Sequence, residues 1–283
     1  MSNQALPLTS LDKAIHTLLA LGEEGNGATV TSLNRRLGYG KSTIHRMLAI
    51  LLRHRLLAQD PATRRYYLGL GVMELAERFS RQNILLRLGL PYLEELERKT
   101  GETVVLSVRE GQEVAYLAKQ ESRGPIKISV ELKRRIPAHA SAGGKVLLAE
   151  LSDSELVALY GETPVLPQVT SRTIRTMDAL RAELRRVRRQ EYACSREESY
   201  PGYFAVAAPV RDREGRAIAA ISLAGNAALH RRERLQEVIP VLKAIGRALS
   251  REIGYKASPQ AGGGGPGAWP QAAGGLGGWG TGS

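Results

Sequence analysis

A short stretch near the N-terminus constrains the fold of this chain more than any other part of its sequence. Between residues 42 and 54, apolar side chains recur at steps of three and four, which predicts a helix with one buried face. Two strand-like runs follow at residues 56–59 and 65–68, joined by the turn Asp60-Pro61-Ala62-Thr63. The apolar residues that define the buried face are Ile44, Met47, Leu48, Leu51 and Leu52.

Two shorter helices are predicted upstream of this stretch. The first covers residues 10–22 with Ser10 as its N-cap, and the second is capped by Thr31 and ends at Gly38. Three helices followed by a small hairpin predict a winged helix-turn-helix within residues 1–70.

The polar face of the third helix carries the residue types that a helix needs to enter a DNA major groove. Small polar residues at its start allow close approach to phosphates, and long donors reach base edges. The candidate DNA contacts are Lys41, Ser42, Thr43, His45, Arg46 and Arg53 on the helix, and Arg64, Arg65 and Tyr66 on the hairpin. The alternative for these residues is a solvated polar face on an ordinary three-helix core.

The chain beyond the hairpin predicts a linker helix and a second, larger domain. Residues 71–99 have a helical pattern that breaks near Gly89 and Pro91, and the linker is assigned to residues 71–82. Ser152 and Glu155 form the capping box of a further helix. Predicted strands are 103–109, 113–119, 126–130, 205–210 and 217–223, and predicted helices are 142–149, 152–160, 177–190 and one through 235–249. Residues 83–256 are therefore predicted as a mixed α+β domain with a partly antiparallel sheet.

Charge and composition narrow the class of protein. Lys and Arg number 40 against 28 Asp and Glu, and the net charge of +12 favours a polyanionic partner. Cys194 is the single cysteine and cannot form an internal disulfide, and no apolar run is long enough to span a membrane, so a cytoplasmic protein is expected. Residues 257–283 are uncharged and dominated by glycine, which predicts a disordered tail.

Several motifs resemble catalytic or metal sites without meeting their requirements. Gly38 to Thr43 lacks the first glycine of a phosphate-binding loop, because Arg35 stands there. His139-Ala140-Ser141-Ala142-Gly143 has His where a nucleophile elbow needs Gly. His139 is interpreted as a packing residue, and the adjacent Glu197 and Glu198 as part of a solvated face. No catalytic residue, metal site or cofactor is predicted.

Three motifs in order along the chain resemble the IclR family of bacterial transcriptional regulators, up to about Tyr255. They are GKSTIHRMLAILLRHRLL with the wing DPATRRYYLG, then RRIPAHASAGGKVLLAEL, and finally YACSREESYPGYFAVAAPVRDREGRAIAAISLAG. The resemblance implies an N-terminal winged helix-turn-helix, a dimerising linker helix and a C-terminal effector-binding domain similar to GAF domains. It also implies dimers or dimers of dimers on palindromic operators of double-stranded DNA, repression more often than activation, and an organic-acid or aromatic-catabolite effector.

The resemblance also carries the family's effector-pocket positions onto this chain. They fall on Ile136, Ala142, Gly143, Ser195, Ala205, Ser222 and Ala224. The family pocket has small residues and backbone amides that suit a carboxylate, and it usually has Asp where this chain has Ser195. That substitution, with Ala at two positions that are often polar, predicts a less polar pocket and a bulkier or more apolar ligand than a two-carbon oxoacid.

The DNA-binding half departs from the family pattern as well. Asn34-Arg35-Arg36 replaces a more common acidic or alanine-rich second helix, and Arg64 stands where the wing often has Gly. Both changes add positive charge near the duplex, so DNA binding with a steep salt dependence is predicted.

Three functions from different classes remain at this stage. The predicted one is a DNA-binding transcriptional regulator that responds to a small molecule and performs no catalysis. The alternatives are an enzyme with an incidental basic N-terminal domain and a protein that coats DNA without sequence preference. Product formation would distinguish the enzyme, and sequence preference would distinguish the regulator from the coating protein.

Overall fold

The computed structural model describes residues 9–124, 135–161, 165–228 and 232–256. The chain divides into two compact units, Met1–Asn83 and Ile84–Ser283. The strand predicted at 126–130 and the tail predicted at 257–283 lie outside the described residues.

The described residues of the first unit form four helices and one hairpin. Its elements are α1 (Ser10–Gly22), α2 (Val30–Leu37), α3 (Lys41–Arg53), β1 (Leu57–Gln59), β2 (Tyr66–Leu68) and α4 (Leu70–Gln82). The N-caps predicted at Ser10 and Thr31 are wrong, because Thr9 and Thr29 occupy those positions and each forms a capping box. Gly38 ends α2 with a φ of 71°, a left-handed conformation that glycine adopts without strain.

The core of the first unit forms between α1, α2, α3 and the hairpin. Strands β1 and β2 pair antiparallel, and the main chain of Tyr66 also bonds to Ala28 in both directions. The apolar stripe predicted for α3 is confirmed: Ile44, Met47 and Leu48 are almost completely buried. The winged helix-turn-helix prediction is therefore confirmed for this unit.

The second unit is a six-stranded antiparallel sheet with helices on both faces. Its helices are α5 (Ile84–Thr100), α6 (Ala142–Leu148), α7 (Asp153–Tyr160), α8 (Met177–Gln190) and α9 (Arg232–Ile253), with a short 3-10 helix at Ala138–Ala140. Its strands are β3 (Thr103–Glu110), β4 (Glu113–Gln120), β5 (Ile136–Pro137), β6 (Ala193–Arg196), β7 (Tyr203–Arg211) and β8 (Ala217–Asn226). The strand order is β5-β4-β3-β8-β7-β6, and every neighbouring pair is antiparallel.

Successive side chains of the central strands point to opposite faces of the sheet, so they belong to two separate hydrophobic cores. One face packs on α5 and α9 through residues such as Leu106 and Ile221. The other packs on α6, α7 and α8 through smaller residues such as Ala205 and Ala220. Small side chains on this second face leave a cavity between the sheet and the start of α6.

The predicted helix break near Gly89 and Pro91 is wrong. The break lies at Asn83, whose backbone is extended, and α5 runs without interruption through both residues. A Cβ atom on Gly89 would lie 2.7 Å from a methyl of Leu106, so glycine lets α5 approach β3 closely. Packing of α5 on the sheet offsets the hydrogen bond that Pro91 cannot make.

No helix in the described parts of the chain is long and apolar enough to cross a membrane.

Candidate functional sites: a basic helix and a hydroxyl-lined cavity

Helix α3 presents a continuous polar face. Lys41, Ser42, His45, Arg46 and Arg53 are exposed, and Thr43 is half-buried. Ser42, Arg46 and Arg53 are four and seven residues apart, so they follow one line along the helix surface. The opposite face is held in the core, which fixes the orientation of this basic line. The arrangement suits a helix that donates to phosphates and base edges.

The three predicted DNA contacts on the hairpin differ in their burial and in their hydrogen bonds. Tyr66 is only 8% exposed and belongs to the core, so its side chain is not available to a duplex. Arg65 donates to the carbonyls of Asn26 and Gly27 at 3.2 and 2.9 Å, which ties the hairpin to the loop between α1 and α2. Arg64 is exposed at the tip of the hairpin and is the member of the three best placed to contact phosphate.

The extra charge on α2 is partly compensated within the unit. Arg36 forms ion pairs with Glu23 and Glu24 in the loop after α1. Asn34 donates from Nδ2 to the carbonyl of Tyr39 at 2.5 Å, and this hydrogen bond stabilises the turn before α3. Arg35 is exposed and keeps its charge in solvent. The added positive charge predicted from Asn34-Arg35-Arg36 is therefore smaller than the sequence suggested.

The substitution Arg64→Gly tests the wing without disturbing its backbone. Arg64 has a φ of 58°, a region that costs a residue with a Cβ about 1 kcal/mol or more and glycine nothing. We expect the slope of log K against log salt to fall by about 0.9, the value for one lost phosphate contact, without loss of thermal stability. Fluorescence anisotropy with labelled duplex at four salt concentrations measures the slope.

Arg55→Gly is the matched control, because Arg55 has the same φ of 58° but pairs with Glu74 on α4. Its salt slope should equal that of the wild type. An unchanged slope in Arg64→Gly would remove the wing from the DNA interface.

The second unit contains a cavity between the start of α6 and the sheet. The cavity is small, with a volume of about 10 Å³, which is room for about one water molecule. Its walls come from β3, β4, α6, β6, β7, β8 and the loop after β6. The lining residues are Ser107, Val114, Tyr116, Ser141, Ala142, Gly143, Ser195, Ser199, Tyr203, Ala205 and Ser222.

The structure gathers five of the seven predicted effector positions around this cavity: Ala142, Gly143, Ser195, Ala205 and Ser222. Ile136 lies in β5 instead, paired with Val114, and Ala224 packs in a small cluster with Val105. Neither is among the described lining residues.

The lining also includes residues that were not among the predicted effector positions. Ser107, Ser141, Ser199, Tyr116 and Tyr203 add hydroxyl groups to the lining. The expectation of a pocket less polar than is usual in the family stays a prediction. One signal was available for Ser107, which is a lone small polar residue inside the apolar run of β3. The hydroxyls of Ser199 and Tyr203 come together with the rest only through the sheet order.

The two glycines of the HASAGGK motif are explained by close backbone approach. A Cβ on Gly143 would lie 2.8 Å from the hydroxyl of Ser107 across the cavity. A Cβ on Gly144 would lie 2.2 Å from the carbonyl oxygen of Ala138, which no backbone could accommodate. The motif thus lets α6 start directly on the sheet, with Ser141 as its N-cap.

Beneath the cavity, Lys145 of α6 is buried in a cluster of charges. Its ammonium lies 2.7 Å from Glu198 and 3.6 Å from Glu183, and the lysine is 1% exposed. Arg186 pairs with the second oxygen of Glu183 at 2.6 Å. Burial raises the pKa of the Glu198 carboxyl, against the opposing attraction of Lys145. The solvated face predicted for Glu198 is therefore wrong.

The Lys145–Glu198 pair joins two walls of the cavity. Lys145 lies one turn after Ala142 on α6, and Glu198 precedes Ser199 on the loop after β6. The same loop is held from outside, because the hydroxyls of Thr170 and Thr173 donate to its carbonyls. The ion pair therefore sets the position of Ser199 relative to α6.

Two further groups of chemical interest have structural roles. His139 is buried, bonds through Nε2 to the carbonyl of Pro167 at 2.9 Å, and burial lowers its pKa. Burial raises the pKa of the Cys194 thiol to about 12, which leaves it unreactive at neutral pH. The described residues contain no cluster of three or more side chains that could hold a metal ion.

Comparison with known proteins identifies the family of this chain. Residues 77–251 match the family model described as bacterial transcriptional regulator IclR C-terminal, and residues 10–61 match the IclR helix-turn-helix domain. The chain belongs to the IclR family. It is 33% identical to the transcriptional regulator XynR of Escherichia coli K12 over 250 residues, which covers 88% of this chain and 99% of XynR. It is 28% identical to the repressor AllR of the same strain over 250 residues, 88% of this chain and 92% of AllR.

Solved structures of IclR proteins share the fold. The IclR regulator of Alicyclobacillus acidocaldarius matches with a TM-score of 0.77 at 27% identity, over 88% of this chain and 100% of that one. An IclR homologue from Microbacterium hydrocarbonoxydans, solved in complex with 4-hydroxybenzoate, has the same fold, with a TM-score of 0.75 at 23% identity over 87% of this chain and 99% of its own. Because both family models and the named relatives are transcriptional regulators, this chain is a DNA-binding transcriptional regulator and not an enzyme.

Proposed function

We propose that this IclR-family chain is a repressor that binds a palindromic operator as a dimer or dimer of dimers and responds to a small organic molecule in the cavity of its second unit. The observation that carries the proposal is the pairing of an exposed basic helix on one unit with a polar cavity on the other. Specificity for DNA is assigned to Arg46 and its neighbours on α3, and phosphate contact to Arg53 and Arg64.

The proposed mechanism is a coupling between two binding sites. The effector binds between the sheet and the start of α6, and it favours one arrangement of the oligomer over another. A ligand shifts such an equilibrium only by its difference in affinity for the two arrangements. The operator-bound population then changes with effector concentration, and no bond is made or broken.

Anisotropy of labelled DNA tests the effector site, with Ala205→Leu as the variant. Ala205 lines the cavity, so a larger side chain there fills it. DNA from the region upstream of the coding sequence is titrated in the presence of organic acids and aromatic catabolites, with 4-hydroxybenzoate as the first probe. We expect at least one compound to change the operator affinity of the wild type and to leave that of Ala205→Leu unchanged. A compound that acts equally on both proteins would place the effector site elsewhere.

The proposed dimer is supported by apolar surface on the first unit. On α4, Leu70, Met73, Leu75 and Phe79 are 52–71% exposed, and on α1 Leu11, Ile15 and Leu19 form an exposed stripe at four-residue spacing. Apolar patches of this kind mark protein–protein contact sites. We assign them to a second copy of this chain, because a palindromic operator requires two copies of α3 about one helical turn apart, or at a longer spacing.

Met73→Glu combined with Phe79→Glu should therefore convert the protein to a monomer in sedimentation velocity. Loss of the second α3 should weaken operator binding by roughly 10²–10⁴-fold, since two linked sites bind with avidity. Leu90→Glu is the control, because Leu90 is 47% exposed but lies on α5. A double variant that remains a dimer would contradict this assignment.

A further inference from the structure

The cavity between the sheet and α6 is too small for an organic effector unless one of its walls moves. It has room for about one water molecule, and an organic acid is several times larger. Strands β3, β7 and β8 are each paired on both sides, and every residue of α6 is buried, so close packing fixes these walls. Ser199 comes instead from the loop at residues 197–202, which belongs to no helix or strand.

The loop at residues 197–202, which we call the strap, is anchored by its neighbours and has a turning point at each end. The hydroxyls of Thr170 and Thr173 donate to its carbonyls at 2.6 and 2.7 Å. Glu197 and Gly202, the first and last residues of the strap, have φ angles of 58° and 74°. A hinge movement is absorbed by a few such loop residues at the ends of a segment.

The ammonium of Lys145 has two carboxylates within reach. It lies 2.7 Å from Glu198 on the strap and 3.6 Å from Oε1 of Glu183 on α8. That oxygen of Glu183 is buried and accepts no hydrogen bond from any residue that the structure describes. The other oxygen of Glu183 pairs with Arg186 at 2.6 Å, which holds the carboxylate in place. A movement of about 1 Å would therefore give Lys145 a hydrogen bond to Glu183.

The second carboxylate removes the main obstacle to opening the strap. Lys145 is 1% exposed, so release of Glu198 alone would leave a buried ammonium without a partner, which is strongly destabilising. With Glu183 in place, the ammonium exchanges one carboxylate for another, and Glu198 moves with the strap into solvent. The cluster therefore has two paired arrangements, one with the strap closed and one with it open.

We propose that the strap is the wall of the cavity that opens, and that Lys145 passes from Glu198 to Glu183 as it does so. The inference rests on the proposed effector site, because opening is what admits a ligand to that site. Lys145 and Glu183 act as positioning residues for the strap. Opening is a property of the chain itself, so it can be measured without a ligand.

Thiol labelling of the full chain tests the opening. The reporter is Ser199→Cys in a chain whose native cysteine is removed by Cys194→Ala. Ser199 is 6% exposed, so iodoacetamide reaches a thiol at this position only when the strap opens. Adding Glu198→Gln should raise the labelling rate about tenfold or more, because it weakens a hydrogen bond between charged groups. Adding Glu183→Gln should instead lower the rate, because the open strap then leaves Lys145 without a carboxylate.

Two controls separate opening of the strap from other effects. Glu197→Gln is the matched substitution, because Glu197 lies on the same strap but pairs with Arg172 at 3.2 Å, outside the buried cluster. Its labelling rate should equal that of the parent. Ser250→Cys reports global unfolding, since Ser250 is 2% exposed on α9, which packs on the other face of the sheet. Labelling at position 250 should stay far slower than labelling at position 199.

The outcomes distinguish the strap from the effector site. Equal rates for Glu198→Gln and Glu197→Gln, or a rate at position 199 that rises only together with that at position 250, would overturn the strap. A faster rate in Glu183→Gln would overturn the exchange of partners. If the strap opens as expected but no compound distinguishes the wild type from Ala205→Leu in the anisotropy assay, the effector site fails and the strap stands.

Discussion

Replacing Lys145 by Met is expected to lower the free energy of unfolding of the second unit by about 3–5 kcal/mol. The substitution leaves Glu198 and Glu183 buried without their ammonium partner, and an uncompensated buried charge has a cost of this size. Urea unfolding followed by circular dichroism measures the loss.

Two further variants separate the effect of the buried charge on the free energy of unfolding from the effect of lost side-chain packing. Adding Glu198→Gln to Lys145→Met should recover more than half of the loss, because it removes the stranded carboxylate. Lys243→Met should cost less than about 1 kcal/mol, since Lys243 pairs with Glu191 in a more exposed setting, with a quarter of its side chain in solvent. If Lys145→Met cost no more than Lys243→Met, the buried pair would not be what holds the loop to α6.

The stability of the Lys145→Met variant should also depend on pH more strongly than that of the wild type. Burial raises the pKa of Glu198, and the variant lacks the ammonium that opposes this rise. A carboxyl with a raised pKa in the folded state binds its proton more readily than in the unfolded state. The variant is therefore most stable below the ordinary glutamate pKa of about 4.3 and loses stability as the pH rises through and above it. Adding Glu198→Gln should remove this dependence.

Among single substitutions on α3, replacing Arg46 by Ala is expected to have the largest effect on sequence recognition. Arg46 is exposed on the middle of the polar face of α3, where a guanidinium can bond to two acceptors of a guanine. The affinity for the operator should fall by about 1–3 kcal/mol, roughly 5- to 150-fold, and the preference should relax at one base pair of each half-site. Anisotropy with the operator and with its single-base variants measures both effects.

Two further substitutions, Arg46→Lys and Arg53→Ala, distinguish base recognition from phosphate contact. Lysine keeps the charge but cannot form the two parallel bonds, so Arg46→Lys should lose most of the specificity. Arg53 ends α3, and its removal should weaken binding to operator and random DNA alike, with a lower salt slope. Equal losses on both DNAs for Arg46→Ala would assign Arg46 to phosphate contact only.

Much of the fold could be predicted because its signals are local. Helix α8 has clear spacing of Leu180, Leu184 and Val187 after the capping residue Thr176, and its predicted bounds agree with the structure. The last hairpin and the α7 capping box are equally local. Strands β5 and β6 were not predicted, because they are only two and four residues long and exist through pairing with β4 and β7.

The cavity could be predicted only in part. The family motifs pointed to Ala142, Gly143, Ser195, Ala205 and Ser222. Ser107 is marked only as a polar residue inside the apolar run of β3, and Ser199 carries no signature of its own. The burial of Glu198 could not be predicted, because its sequence neighbours are polar. Lys145 is the one charged residue in the apolar helix AGGKVLL, and this pattern could have indicated a buried charge. Its partners depend on tertiary packing, which spacing along the chain does not reveal.

The most direct test of this account is selection of duplexes from a random DNA library by the full chain, with Arg46→Ala as the comparison. Sequence-specific recognition by paired α3 helices predicts enrichment of one inverted-repeat motif, bound roughly 10³-fold or more tightly than unselected DNA. The same motif should weaken or lose one defined position with Arg46→Ala. If no motif were enriched, and binding depended on salt alone, the chain would coat DNA without sequence preference and the regulatory account would be contradicted.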